Sequence, residues 1–439
     1  MWEEYILALL TLLLFCSGLL LCLHFDLSIL YALSFGYIIF FLYGLHYGCR
    51  IRQLLSMTVE SLLTVRTVLT VFVLIGMITV SWRACGTIPY IVSLAGDMIR
   101  PDLFLIAAFL LNALLSVLIG TSFGTAATMG VICMSAGHVL GVSPLFTGGA
   151  VFSGIFFGDR CSPLSTSALV VSSITGTVFY HNLRLMARSA VIPFFVTAAL
   201  YLLLGRYANT DASVTLQTSS LFEDSFALHS MTLLPAAAVI LLSLLRIDVR
   251  VTMTVSIVIS LCLCALLQHE ALLTIIPMLL WGYAAPTAQL APMMNGGGII
   301  AMAKPAALVA LSCSYAGIFR HTDLLRGIKK YIRKGAALVS AYGCTVIVSI
   351  LTAMIACNQT LASILTKQLC EEIIPDKTRM MLTLEDTIIV IAALIPWSIA
   401  AAVPLATLDA PAACLYFAFY LYLQPLCGLI QDRYRNIHG

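Results

Sequence analysis

Apolar runs of bilayer-crossing length recur along the whole of this sequence, and that recurrence dictates what it can fold into. A helix needs about 20 predominantly apolar residues to cross the hydrocarbon core. Such runs include Tyr5–Leu23, Leu27–Tyr47, Thr67–Trp82, Leu103–Ile119, Ala190–Leu204, Arg250–Leu267, Ala336–Ala356 and Pro411–Ile430. With 61% hydrophobic and 10% charged residues, the chain lies far from soluble domains, where about 25% charged is usual. The expectation is an all-α polytopic membrane protein, with the lipid bilayer as its first partner and no sizeable soluble domain. The net charge of +3 is small and scattered through loops, which points away from nucleic acid. The opening Met1-Trp2-Glu3-Glu4 has no basic leader segment and reads as the start of a first span.

The runs are interrupted in four places where a membrane helix gains nothing from interruption. Gly120-Thr121-Ser122-Phe123-Gly124-Thr125 divides Leu103–Ile119 from Thr125–Leu140, which form either a re-entrant hairpin or two full spans. Gly158-Asp159-Arg160-Cys161-Ser162-Pro163-Leu164-Ser165 divides Phe146–Gly176, Cys357-Asn358-Gln359-Thr360 follows Ala336–Ala356, and within Glu385–Leu405 a break runs from Glu385 to Ser398 and contains Ile395-Pro396-Trp397-Ser398. Inside hydrocarbon, freed backbone groups must be buried in protein or line a cavity. The breaks are therefore expected to meet a small solute.

The breaks also repeat. Thr121 and Pro163 are 42 residues apart, and Asn358 and Pro396 are 38 apart. The longest polar stretch, Arg206 to Ser230, lies between the pairs and reads as a linker. We expect a first repeat at residues 1–205, a linker at 206–230 and a second repeat at 231–439. If the N-terminus is cytoplasmic, 18 of the 23 Lys and Arg residues fall on the inner side, as the positive-inside rule requires. That topology has about ten net spans, five per half and oppositely oriented, with both termini cytoplasmic. Arg83, Arg100, Arg206 and Lys304 remain outside, and Arg160 falls within a break.

Inverted halves with discontinuous helices are a secondary-transporter design, in which solute and coupling ion sit near the midplane. The breaks offer hydroxyls, carboxamides and carbonyls, hard oxygen donors suited to small cations. Ionisable residues within spans are costly and mark function by default, which singles out Asp159, Glu385 and Asp386. Other readings remain for each. Asp159 pairs with Arg160 or caps the helix after Pro163, and Glu385 and Asp386 open a helix whose dipole suits them. His181 reads as a surface residue in a loop with Arg184 and Arg188, and Trp397 as a packing aromatic. The 14 cysteines lie mostly inside spans, form no CxxC pair, and read as small packing residues. No cofactor is expected. Neither HExxH nor an intramembrane His pair occurs, so no enzyme is expected.

These breaks carry a family resemblance. Gly120-Thr121-Ser122-Phe123-Gly124-Thr125-Ala126 resembles the GTSWGTA stretch of the NhaC family of Na⁺/H⁺ antiporters, and Gly158 to Ser165 resembles its GDxxSPLS stretch. Gly296-Gly297-Gly298 through Met302, Asn358-Gln359, Leu384-Glu385-Asp386-Thr387 and Ile395-Pro396-Trp397 are similar to further motifs in the same order. The resemblance implies inverted repeats with hairpins meeting broken helices, Na⁺/H⁺ exchange across a bacterial cytoplasmic (inner) membrane, and a homodimer. The candidate cation and solute ligands are Thr121, Ser122, Thr125, Asp159, Ser162, Ser165, Thr166, Asn358, Gln359, Thr360, Glu385, Asp386, Thr387 and Ser398. Na⁺ itself is expected at Thr121, Ser122, Asp159, Asn358 and Asp386. The sequence departs from the family pattern at Thr166, where aspartate is usual, and at Leu169 and Ser398, where asparagine is usual. Those changes remove charge and leave room. They motivate the alternative of Na⁺- or H⁺-coupled transport of a small organic solute, an amino acid or a carboxylate.

Overall fold

The computed structural model describes residues 2–25, 27–98, 100–207, 226–245, 247–270, 272–285, 287, 290–315, 317–318, 332–333, 335–336, 339–356 and 358–438. Among these residues the chain is helical, with one isolated antiparallel bridge between Tyr283 and Gly296. Five helices are long and apolar enough to cross a membrane: Ile29–His46, Arg66–Ala84, Asp102–Ile119, Phe179–Tyr207 and Val249–Leu267. A sixth is the bent pair Lys377–Leu394 and Ile399–Leu408, whose arms meet at 50°. Other apolar sequence lies in shorter helices such as Thr166–Thr175 and Ala341–Ala356, because the polar breaks cut it. The protein is an all-α polytopic membrane protein.

The packing is reciprocal between the two parts of the chain. Trp2–His24 packs on Ile29–His46, and Leu234–Leu244 packs on Val249–Leu267. The next helix then crosses over: Arg66–Ala84 packs on Val249–Leu267, and Ala303–Ser314 packs on Ile29–His46. The same exchange recurs at the breaks. Residues 122–130 pack on Ile399–Leu408, and Gln359–Cys370 packs on Thr166–Thr175. Each half thus supplies the wall for the other half's break.

Glycine sets the spacing where helices approach. Gly154 and Gly158 face Pro101–Ile119; a Cβ at Gly154 would fall 2.6 Å from the Phe109 carbonyl oxygen, and one at Gly158 would collide with Ser116. Small residues four apart allow such backbone contact in membrane helices. Ser116 Oγ then donates to the Ile155 carbonyl at 2.6 Å. Gly120 ends Pro101–Ile119 in the left-handed region at φ 81. Its missing Cβ would stand 2.7 Å from the Leu164 carbonyl oxygen, so the first break rests directly on the second.

Three local expectations are corrected. His181, Arg184 and Arg188 lie in the first turns of one long helix, Phe179–Tyr207, rather than in a loop. The helix carrying Glu385 and Asp386 begins at Lys377, capped by Asp376, so the two acids close it instead of opening it. Asp159 caps no helix after Pro163; Ser165 does that. The greater part of the polar linker, most of the basic loop Arg320–Lys334, Arg246 and Cys357 lie outside the described residues. Trp397 is buried and donates to the Met354 carbonyl at 3.0 Å, a packing role, and His181 is exposed.

Gly120→Ala should lower stability by about 2 kcal/mol or more, since it combines a left-handed backbone with overpacking. Gly141→Ala, also at positive φ but with nothing within 4 Å, should cost only about 1 kcal/mol. Thermal unfolding of the two variants in detergent measures the difference.

Candidate functional site

All four breaks end in a helix N-terminus capped by a polar side chain. Thr121 Oγ1 accepts from the Gly124 N–H at 3.2 Å, and Ser165 Oγ from the Ala168 N–H at 3.0 Å. Asn358 Oδ1 accepts from the N–H groups of Thr360 and Leu361 at 2.9 and 3.2 Å, and Ser398 Oγ from that of Ala400 at 3.3 Å. Such caps satisfy N–H groups that a helix start leaves free. They explain how helices restart inside an apolar surround. After Thr121, residues Ala126–Gly130 adopt a π-helical turn, a form frequent at functional sites.

The first two breaks meet around Asp159. Its carboxylate accepts from the Ser122 N–H at 3.4 Å and from Ser167 Oγ at 3.2 Å. Ser167 Oγ lies 2.8 Å from Ser165 Oγ. Ser162 Oγ donates to the Val117 carbonyl at 2.6 Å and accepts from the Leu164 N–H at 3.0 Å, tying the break to the helix Pro101–Ile119. Thr125 is buried and donates to the Thr121 carbonyl at 3.0 Å.

Arg160, the next residue, turns to the other half. It is fully buried and forms an ion pair with Asp386. Its Nε donates to the Glu385 carbonyl at 3.1 Å, one terminal nitrogen to the Met186 carbonyl at 3.0 Å, and the other to Ser189 Oγ at 2.7 Å. Gln424 Nε2 adds a hydrogen bond to Asp386 at 2.9 Å. Arg160 therefore pairs across the halves with Asp386, and Asp159 is left to the first break.

Glu385 differs from both aspartates. It is fully buried, and neither carboxyl oxygen has a hydrogen-bond partner among the described residues. Arg160, Asp159 and Asp386 all lie within electrostatic range of it. Thr387 donates to the Thr383 carbonyl at 2.6 Å and accepts from Ser349 at 3.1 Å, while Gln359 donates to the Ile389 carbonyl at 2.9 Å. The structure thus brings Thr121, Ser122, Asp159, Ser162 and Ser165 together where the first two breaks meet, and Glu385 and Asp386 beside Arg160. Thr166 and Thr360 are exposed, and the oxygens of Asn358 and Ser398 serve as caps.

Sequence reading missed Ser167, Ser189 and Gln424. Ser167 had a signal, being a third hydroxyl in the run Ser165-Thr166-Ser167. Ser189 and Gln424 sit in long helices that carry other polar residues, and nothing local distinguishes them. Losing one partner of a buried pair strands a charge at a cost of about 3–5 kcal/mol, whereas replacing both with apolar groups is far milder. Asp386→Leu alone should therefore destabilise by that amount, and adding Arg160→Met should restore much of it, as read by thermal unfolding in detergent.

The sequence matches the model of the Na⁺/H⁺ antiporter family at residues 5–182 and 154–430. It is 27% identical to the Na⁺/H⁺ antiporter NhaC of Alkalihalophilus pseudofirmus over 82% of this chain and 80% of that one. It is 28% identical to the Na⁺/H⁺ antiporter NhaC of Bacillus subtilis over 82% of each chain. Similarity to the malate-2H⁺/Na⁺-lactate antiporter of Bacillus subtilis is 26%, over 79% of this chain and 75% of that one. With the family model spanning nearly all of its length, the chain belongs to the Na⁺/H⁺ antiporter family.

Proposed function

We propose that the protein exchanges Na⁺ for protons at the buried cluster, with Asp159 and Glu385 as the groups that alternately hold cation and proton. The protein is a membrane transporter and not an enzyme. The observation that carries the residue assignment is a charge imbalance: among the described residues of this cluster, three buried carboxyls, Asp159, Glu385 and Asp386, are accompanied by one buried guanidinium, that of Arg160. Leaving ionised groups uncompensated away from water costs several kcal/mol each. Arg160 balances Asp386. Asp159 and Glu385 are left needing either protons or metal cations, and a group that requires one or the other is what an exchanger needs.

Roles follow from the surroundings. Asp159, beside the Ser122 N–H and Ser167, is placed in a polar break whose hydroxyls and carbonyls act as further cation ligands. Glu385, whose carboxyl oxygens have no hydrogen-bond partner among the described residues, takes the proton-carrying role. Asp386 leaves the cation ligand set and becomes the partner that positions Arg160. We further propose that both termini face the cytoplasm, on the strength of the basic-residue bias.

Na⁺ added outside proteoliposomes should drive protons outward and alkalinise the lumen, as a trapped pH dye reports. Asp159→Asn and Glu385→Gln should each abolish the signal while eluting as folded protein. Unchanged exchange in Glu385→Gln would remove Glu385 from the mechanism, and no proton movement with Na⁺ or Li⁺ in the unsubstituted protein would end the antiport reading.

A further inference from the structure

A second group of charged residues surrounds a cavity that does not include Asp159 or Glu385. The cavity has a volume of about 870 Å³ and runs from Arg83, Lys304, His138 and Asp409 inward to Pro396 at the last break. Clefts of about 300–1,000 Å³ accommodate small organic ligands, and a single metal ion would leave most of this one unfilled.

Arg83 occupies the last turn of Arg66–Ala84, and its Nη1 is buried without a hydrogen-bond partner among the described residues. Asp409 caps the C-terminus of Ile399–Leu408 at φ 51. Among the described residues no ion pair joins the two, although both border the same glycine. From the place where a Gly296 Cβ would stand, Arg83 Nη1 is 3.2 Å away and Asp409 Oδ2 is 3.8 Å away. Gly296, Gly297 and Gly298 all have positive φ, at 117, 75 and 88. A Cβ at Gly297 would fall 2.7 Å from Thr79 Oγ1 and 3.4 Å from Arg83 Nη1. The three-glycine turn is anchored to the same helix, with the Gly298 N–H donating to the Gly76 carbonyl at 3.0 Å. The turn therefore holds a cation and an anion close together while putting no side chain between them.

A buried donor without an acceptor is a cost that a ligand can remove. The planar guanidinium fork matches a carboxylate. Arg83 and Lys304 outnumber Asp409, which disfavours a free cation here and favours an anion or a zwitterion. We propose that this cavity binds a small organic carboxylate, with its carboxylate on the Arg83 guanidinium and any ammonium group of the ligand at Asp409. The site stands apart from the exchange cluster and does not depend on the roles given to Asp159 and Glu385.

The test is ligand-induced thermal stabilisation and titration calorimetry on the full chain in detergent, with lactate, succinate, alanine and arginine as probes. At least one should bind saturably to the unsubstituted protein. Arg83→Gln should weaken that binding by about tenfold or more, the loss expected of a charge-assisted hydrogen bond. Gly296→Ala should block it by filling the gap. Asp409→Asn should weaken alanine or arginine while sparing lactate and succinate. Failure of all four probes to bind the unsubstituted protein would overturn the proposal, whatever the variants do. Undiminished binding in folded Arg83→Gln would overturn it as well.

Discussion

The guanidinium of Arg160 is the fixed point of this molecule. It lies wholly within protein, and its five N–H donors must all find acceptors there or be lost at high cost. Two of its acceptors, the Asp386 carboxylate and the Glu385 carbonyl, come from the far part of the chain. Two more, Met186 and Ser189, come from the helix Phe179–Tyr207. A residue at the end of one broken helix thereby sets the position of the other. Arg160 is in turn positioned by Gly154 and Gly158, which let its helix lie against the backbone of Pro101–Ile119.

Around this point the breaks are stable because their polarity is satisfied locally. A helix that restarts in a membrane exposes N–H groups to hydrocarbon, and each of the four restarts supplies its own cap from the residue just before it. The reciprocal packing follows from the same need. A broken helix cannot shield its own break, so the wall comes from the opposite half: residues 122–130 against Ile399–Leu408, and Gln359–Cys370 against Thr166–Thr175. Movement of one half against the other would alter both breaks together, the coupling that alternating access requires.

Much of this was legible in the sequence because it depends on local chemistry. Gly120 followed by Thr121, and Ser165 after Pro163, carry their turn and cap in the residue type itself, so the position of each break could be read directly. What could not be read was partnership. Arg160 and Asp159 are adjacent in sequence, which suggested pairing with each other. Successive positions on a helix point in different directions, and here one faces its own break while the other faces Asp386. The helix ending at Asp386 was also misjudged. Its first turns, Lys377-Thr378-Arg379, are polar enough to look like loop, so the apolar pattern became visible only near its end. The cavity at Arg83 was beyond reach for the same reason, since Arg83, Gly296 and Asp409 are brought together only by tertiary packing.

The two acids at 385 and 386 show why partnership rather than residue type decides function. Both close the same helix, where the unsatisfied carbonyl end of the dipole disfavours negative charge. Asp386 is met there by a guanidinium, a hydroxyl and a carboxamide. Glu385 has none of these on its carboxyl oxygens. In the exchange proposed above, its ionised form is tolerable only while a cation is near, and the departure of that cation would bring a proton in. Asp159 precedes Arg160 and Glu385 precedes Asp386 in the chain, so the Arg160–Asp386 ion pair brings the two acids into one neighbourhood, where in the proposed exchange occupancy of one would alter the cost of ionising the other. On that proposal, a cation arriving at Asp159 would lower the cost of releasing the Glu385 proton. A proton arriving at Glu385 weakens the local field that holds the cation. Competition of this kind needs no contact between the two ions, only a shared, poorly screened environment with too little positive charge of its own.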